Sequence, residues 1–392
     1  MEFQGADDEN IFLDNFGALD VVSRPNSVIK PMTSKAENLA EAETMLAALR
    51  FSRKELAEIA TDYGFPRVTD WHEITQALGS TVYLVETVKG KFCVKIDEVK
   101  SELEIKRELD LLLFLRKHGF PCSVLLADRR GRHLRECYGG SLSVYRYIDG
   151  HMIEPEDLTP GQLENVGRVL ADLHLIGKAY KKGIDNRFGF DRVGDVYFEA
   201  RGRLPHYFKK IVRTLDEEIE YLNHYLEGKL PKGVIHGDLL LSNIRFRGDK
   251  VAAVLGFEAA CRGKFIFDLA TAINTLCYEE GRYSLKKFEA LIAGYESLRT
   301  LSLAEWDAFP NELRFSAFRF TVTRLRDFFV NPADERQRIN KDFLDFYERL
   351  RILRRERAGG MEPILMAMAT GYDYRKYQRV KAIEKHSSKM SR

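Results

Sequence analysis

The chain has 392 residues, 31% of them charged and 45% hydrophobic, with a formal net charge of +2. That length and balance fit a two-lobed globular protein with tails and give no general case for nucleic acid or a membrane surface as partner. No apolar run approaches the ~20 residues a membrane span needs, and the acidic opening Met1-Glu-Phe-Gln-Gly-Ala-Asp-Asp-Glu-Asn10 is unlike a secretory or transit signal, so a cytoplasmic protein is expected.

Residues 1–50 are polar, acidic and weakly periodic, and are expected to be a partly disordered extension with a helical pattern over 35–49. Ser52 then caps a helix that runs to Tyr63, Glu55 completing a capping box, and Gly64-Phe-Pro66 ends it. Residues 71–78, 82–88 and 91–96 read as strands, with Lys89-Gly90 as a hairpin turn and Gly79-Ser80-Thr81 as a small-residue turn. Lys95 lies inside an apolar, β-branched run, where its charge must be paired or solvated. Residues 102–117 are strongly helical and carry Glu102, Glu104 and Glu108; His118-Gly-Phe-Pro121 closes the segment. Strands follow at 124–127 and 142–147, the second leading into Tyr145-Arg-Tyr-Ile-Asp-Gly150. Thr159-Pro160 opens a helix to about Gly177 whose apolar face includes His174, read as a packing histidine. One or two helices span 198–227, strands 233–236 and 250–255, and helices 269–278, 286–295, 312–330 and 341–351. The helix over 312–330 mixes Arg314, Arg319, Arg324 and Arg326 with Phe315, Phe318 and Phe320: salt bridges to neighbours such as Asp327 are expected, and Arg319 and Arg324 are candidates for a substrate carboxylate. The basic tail from Arg354, with Tyr372, Tyr374 and Tyr377 among arginines and lysines, reads as solvated, and nucleic acid is not an expected partner. Cys93, Cys122, Cys137, Cys261 and Cys277 form no CxxC pair and read as reduced thiols.

The chemistry concentrates between the strands at 233–236 and 250–255. There His236-Gly-Asp-Leu239 is followed by Asn243, five residues after Asp238, and later by Phe267-Asp-Leu-Ala270. This is the order of parts in a phosphoryl-transfer loop: an Asp to orient and deprotonate a hydroxyl, then an Asn to hold a metal ion. The run Gly233-Val-Ile-His-Gly-Asp-Leu239, with Asn243-Ile-Arg-Phe246 and Phe267-Asp-Leu-Ala-Thr-Ala-Ile-Asn274, resembles the aminoglycoside phosphotransferase and choline kinase superfamily, most of all its homoserine kinases, over roughly residues 51–350.

The resemblance implies an α+β, two-lobed protein-kinase-like fold. An antiparallel β small lobe would occupy 51–148 and a mainly helical large lobe 149–353, with a tail over 354–392. It implies ATP and Mg²⁺ as cofactors and a small molecule with a hydroxyl as substrate, homoserine the leading candidate and choline, an aminoglycoside or another amino alcohol the alternatives. By the same resemblance Asp238 is the catalytic base, His236 supports the loop from beneath, and Asp268 receives the loop's hydrogen bonds. Asn243 is a metal ligand; Lys95 contacts the phosphates, with Glu108 as its partner and Glu104 as second choice. Gly79, Ser80 and Thr81 lie over the phosphates, and Tyr145 and Tyr147 belong to the hinge beside the adenine.

Two positions depart from the pattern. Ser242 replaces the usual Asp of homoserine kinases, a site where small residues occur elsewhere in the superfamily. Gly256 replaces the metal-binding Asp of the family's Ile-Asp-Phe-Glu, so the chain reads Leu255-Gly-Phe-Glu258. Glu258, two residues on and on the same face of an extended strand, is the candidate to reach the metal instead. The alternative is a catalytically weak relative that binds nucleotide or a partner.

Overall fold

Period-two alternation in the first third of the chain builds one antiparallel sheet. In the computed structural model, which describes residues 51–77, 80–137, 140–226, 228–329 and 342–355, this sheet follows helix α1 (Arg53–Asp62). Its strands are β1 (Val68–Ala77), β2 (Ser80–Thr87), β3 (Gly90–Asp97), β4 (Val124–Leu125), β5 (Arg135–Cys137) and β6 (Gly140–Arg146). They pair in the order β1-β2-β3-β6-β4, with β5 also on β6. Helix α2 (Glu102–Lys117) crosses between β3 and β4; Ser101 and Glu104 form its capping box. The expectations for residues 1–50, Gly79 and most of the basic tail lie outside the described residues.

From Pro160 on the chain is mainly helical. Helix α3 (Pro160–Ala179) starts with a capping box between Thr159 and Gln162 and buries Leu163, Val166, Leu170 and Leu173, a stripe at helical spacing. Helices α4 (Phe190–Arg201) and α5 (Lys209–Tyr225) follow. Two short antiparallel ribbons then frame the loop of interest. The strands are β7 (Lys232–Ile235), β8 (Ile244–Arg247), β9 (Lys250–Val254) and β10 (Cys261–Lys264); β7 pairs with β10 and β8 with β9. Helix α6 (Phe265–Leu276) is buried almost all round, as its apolar composition demands. A small hairpin of β11 (Tyr278–Glu279) and β12 (Arg282–Tyr283) precedes helices α7 (Leu285–Glu296), α8 (Leu303–Phe329) and α9 (Phe343–Arg355). Among the described residues no helix is long and apolar enough to cross a membrane.

Among the described residues the elements expected from sequence are present, with several corrections. Helix α6 begins at Phe265, so Asp268 sits in its first turn and does not open it. Helix α8 begins nine residues before Glu312, at Leu303, and runs through Pro310. Its start is fixed by Ser302 and Glu305: the Glu305 N–H donates to Ser302 Oγ at 3.3 Å and the Ser302 N–H to Glu305 Oε2 at 3.0 Å. Helix α4 starts at Phe190, well before residue 198. The four-residue strands β8 and β10 were not expected, because segments so short are defined by their partners rather than by pattern.

Candidate active site

Lys95 is 7% exposed, at the middle of β3 opposite Ser143 of β6. Alternation puts Cys93, Lys95 and Asp97 on one face of the strand. The Lys95 ammonium lies 2.6 Å from Glu258 Oε1, 3.4 Å from Glu108 Oε1 and 3.6 Å from Asp97 Oδ2. Burial works against its charge, yet Glu258 and Glu108 hold its pKa well above the ordinary lysine value. The converse holds for Glu258: burial opposes ionisation, and Lys95 keeps the carboxyl below the usual range. Lys100 shares the same acids, 2.8 Å from Glu108 Oε2 and 3.7 Å from Asp97 Oδ1. Glu104, the second choice as partner, is spent on the α2 cap, accepting from Ser101 N–H at 2.9 Å and Ser101 Oγ at 2.6 Å.

The His236–Asn243 loop is held from below by one carboxylate. Asp268, fully buried on α6, accepts from the backbone N–H groups of His236 and Gly237, each at 2.8 Å, and from His174 Nε2 at 3.1 Å. His174 Nδ1 in turn accepts from the Tyr295 hydroxyl at 2.7 Å. Burial lowers the His174 pKa and favours the neutral ring, and its two partners, Asp268 and Tyr295, set the tautomer. Sequence reading took His174 for a packing residue; it is in the core, but it is also the third donor to Asp268. Burial pushes against ionisation of Asp268, and its donors, His174 foremost, still hold its pKa low.

His236 packs edge-on against Phe257 and spans the loop: its Nε2 donates to the Leu255 carbonyl at 2.8 Å, and its Nδ1 accepts from Asp238 N–H at 3.2 Å. Gly237 has φ +75° and approaches the 3₁₀ turn before β10 so closely that a Cβ would stand 2.7 Å from the Ala259 carbonyl oxygen; only glycine fits.

The Asp238 side chain is 29% exposed, open to a substrate, and one oxygen accepts from Arg319 Nη1 at 3.1 Å. The buried Arg319 guanidinium lies between the rings of Phe188 and Phe320, at 4.0 and 3.9 Å. Its Nε has no hydrogen-bond partner among the described residues. Of the candidate carboxylate-binding arginines, Arg319 is therefore at the loop and Arg324 is not: Arg324 donates to the Asp342 carbonyl at 2.9 Å and pairs with Asp345 at 3.3 Å. Arg314 pairs with buried Glu218, and Arg326 with Asp327 at 2.6 Å, as the salt-bridge expectation had it.

Asn243 ties its Nδ2 to the Asp238 carbonyl at 2.9 Å, and its own carbonyl accepts from Leu255 N–H at 2.7 Å. Gly256 is left-handed, φ +76°, and a Cβ there would lie 2.6 Å from Asn243 Oδ1. The Asn243 amide thus occupies the place an aspartate at 256 would take. Glu258 does not fill the gap. It sits inside a short 3₁₀ turn, Phe257–Ala259, rather than continuing a strand, so alternation fails; its carboxylate goes to Lys95 and its carbonyl accepts from Arg187. The surroundings of Gly256 are therefore poor in metal donors among the described residues: Asn243 offers one amide oxygen, Glu258 is held by Lys95, and Asp238, the expected base, is already paired with Arg319 through one oxygen. Among the described residues no group of three or more His, Cys, Asp and Glu side chains is arranged to hold a metal.

The remaining candidates line the sheet. Thr81 donates to Glu98 at 3.1 Å, and Ser80 pairs with Asp97 across β2 and β3. Tyr145 shares the Lys95 face, its hydroxyl 3.2 Å from Ser143 Oγ, whereas the Tyr147 ring lies under Lys91 at 6.0 Å. The sequence reading missed Asp97, Lys100 and Arg187. Asp97 was legible, two residues past Lys95 on an alternating strand; the other two carry no local signal.

A sheet bearing a buried, carboxylate-paired lysine, joined to a helical lobe that anchors a His-Gly-Asp loop, defines a protein-kinase-like phosphotransferase. The chain belongs to the phosphotransferase enzyme family whose model, APH, matches residues 70–301. It is 32% identical over 303 residues to the homoserine kinase of Caulobacter sp. (strain K31), covering 76% of this chain and 94% of that protein. It is 29% identical to the homoserine kinase of Agrobacterium fabrum, covering 76% and 93%. Among solved structures, an amicoumacin kinase in complex with AMP-PNP, Ca²⁺ and Ami shares the fold at TM-score 0.61 and 17% identity, over 81% of this chain and 95% of that one. A spectinomycin phosphotransferase in complex with ADP and spectinomycin does so at TM-score 0.58 and 12% identity, over 76% and 97%. The protein is thus a small-molecule kinase that uses a nucleotide.

Proposed function

We propose that this kinase transfers the γ-phosphoryl group of ATP to the side-chain hydroxyl of homoserine, giving O-phosphohomoserine and ADP. The observation that carries the substrate class is Arg319. It stands beside Asp238 with one guanidinium edge on the base and its buried Nε unpartnered among the described residues, a fork suited to a substrate carboxylate. Choline offers no such group. The homoserine kinase relatives favour the same substrate.

In this reading Asp238 accepts the hydroxyl proton as the substrate oxygen bonds to the γ-phosphorus and the bond to the β-phosphate oxygen breaks. Asp268, through the His236 and Gly237 N–H groups, keeps Asp238 in place. Lys95, with Glu108 and Lys100 beside it, takes the nucleotide phosphates; Ser80 and Thr81 lie over them, and Tyr145 and Tyr147 flank the adenine at the hinge. The Mg²⁺ of the family finds no carboxylate at Gly256, and no step is assigned to it. If that contact is worth ~3–5 kcal/mol in the transition state, turnover is slower by roughly 10²–10⁴ than with aspartate there. Gly256 is also what favours the second reading, a nucleotide-binding relative with little turnover.

The test is ATP turnover with homoserine, followed by detection of O-phosphohomoserine, on this chain and on Asp238→Asn. Homoserine-dependent product, reduced at least ~10²-fold in the variant, is expected. Turnover with choline or an aminoglycoside and none with homoserine would overturn the substrate assignment.

A further inference from the structure

We infer that this chain binds its adenine nucleotide with an affinity indifferent to divalent cation, the metal's role at the phosphates having passed to side chains. The inference rests on the nucleotide reading above and goes beyond it.

Three observations lead there. The first is geometric. In the family's pattern a carboxylate at 256 touches the cation; here that position is a left-handed glycine, and the amide of Asn243 occupies the space its side chain would need. Asn243 is itself pinned, with Nδ2 on the Asp238 carbonyl at 2.9 Å. A cation carried in on the phosphates would find the Asn243 amide oxygen where the family's pattern also offers a carboxylate, a weaker site for an ion that prefers carboxylate and water oxygens in a near-ideal octahedron.

The second is that the acid best placed to replace it is already committed. Glu258 Oε1 lies 2.6 Å from Lys95 Nζ, the shortest of the Lys95 ion pairs, and the Glu258 carbonyl accepts from Arg187. Turning Glu258 toward a metal would leave a 7% exposed ammonium with only its longer contacts to Glu108 and Asp97.

The third is charge. Asp97, Glu108, Glu258 and Asp238 are matched by Lys95, Lys100, Arg187 and Arg319, each cation within ion-pair or hydrogen-bond distance of one of these residues. A site with an aspartate at 256 would hold one more negative charge, which a divalent cation corrects. This site lacks that added negative charge, and Lys95, Lys100 and Arg187 stand as the cations for the arriving phosphates. A metal that gains no contact with the protein adds nothing to affinity beyond what it does for the free nucleotide.

The experiment is calorimetric titration of the full chain with AMP-PNP, in excess MgCl₂ and in excess EDTA, alongside Gly256→Asp. For this chain the dissociation constants are expected to agree within about threefold. For Gly256→Asp, where the Asn243 amide must shift to admit the side chain, magnesium is expected to tighten binding by about tenfold or more once the aspartate oxygen reaches the cation. Magnesium-dependent binding of the unaltered chain, tighter by tenfold or more, would overturn the inference and leave the kinase reading standing. Binding in neither buffer would overturn the nucleotide reading itself. Should Gly256→Asp fail to fold, Lys95→Met replaces it: a loss of at least about tenfold in EDTA is expected, and affinity unchanged in EDTA refutes the role given to the side-chain cations.

Discussion

Asp268→Asn is the substitution on which the account of the loop stands or falls. The carboxylate faces three donors: the His236 and Gly237 N–H groups and His174 Nε2–H, at 2.8, 2.8 and 3.1 Å, all in a site without solvent. Asparagine has nearly the same shape but only one oxygen. If that oxygen takes the place of Oδ2, the new NH₂ points at the Gly237 N–H; if it takes the place of Oδ1, the NH₂ points at the His236 N–H. Either way one buried backbone donor loses its partner, costing about 1–3 kcal/mol. The bonds that remain drop from charge-assisted to neutral, about 1 kcal/mol each. His174 can relieve one clash by changing tautomer, so the sum comes to about 3–5 kcal/mol. Urea unfolding of both proteins reads the difference directly, and turnover should fall with it because Asp238 follows the loop. A stability change below about 1 kcal/mol with unchanged turnover would refute the claim that this one carboxylate shapes the loop.

Two further outcomes follow from the same structure. His174 has a folded-state pKa below the ordinary histidine value of 6.5, because burial penalises the charged ring. The stability it contributes is therefore complete above pH 6.5 and is lost as pH falls below it; unfolding free energy should decline between about pH 7 and 5, and decline less in His174→Asn. Equal slopes in the two proteins would show that another group controls this range. Arg314→Met should cost about 3 kcal/mol in thermal or urea unfolding, since among the described residues it leaves the buried Glu218 carboxylate with only Arg354, at 3.3 Å from Oε2. Arg314→Met combined with Glu218→Met should recover much of the loss, and a double variant no better than the single would contradict a buried ion pair.

Much of the molecule was legible in the sequence. Helix α2 could be read to both ends, residues 102–117, because its cap, its apolar stripe and its closing His118-Gly-Phe-Pro121 are all local. The loop order His236-Gly-Asp238, then Asn243, then Asp268 pointed to the chemistry through its resemblance to a phosphotransferase catalytic loop. The start of α8 carries a local signal in Ser302 and Glu305, and the helix accommodates Pro310 inside it.

What the sequence could not decide is which side chain each charged group meets. Lys95 takes Glu258, 163 residues away, at 2.6 Å and the expected Glu108 only at 3.4 Å; Asp238 meets Arg319, 81 residues on; Asp268 meets His174, 94 residues back. Glu258 was expected on the same face as the position two residues before it, and a single left-handed residue at Gly256 turned it away. Local pattern is set by backbone periods of 2 and 3.6 residues, which neighbouring positions carry in full. Ion pairs are chosen by which surfaces pack together, and that choice exists only once burial has removed water from the competing partners.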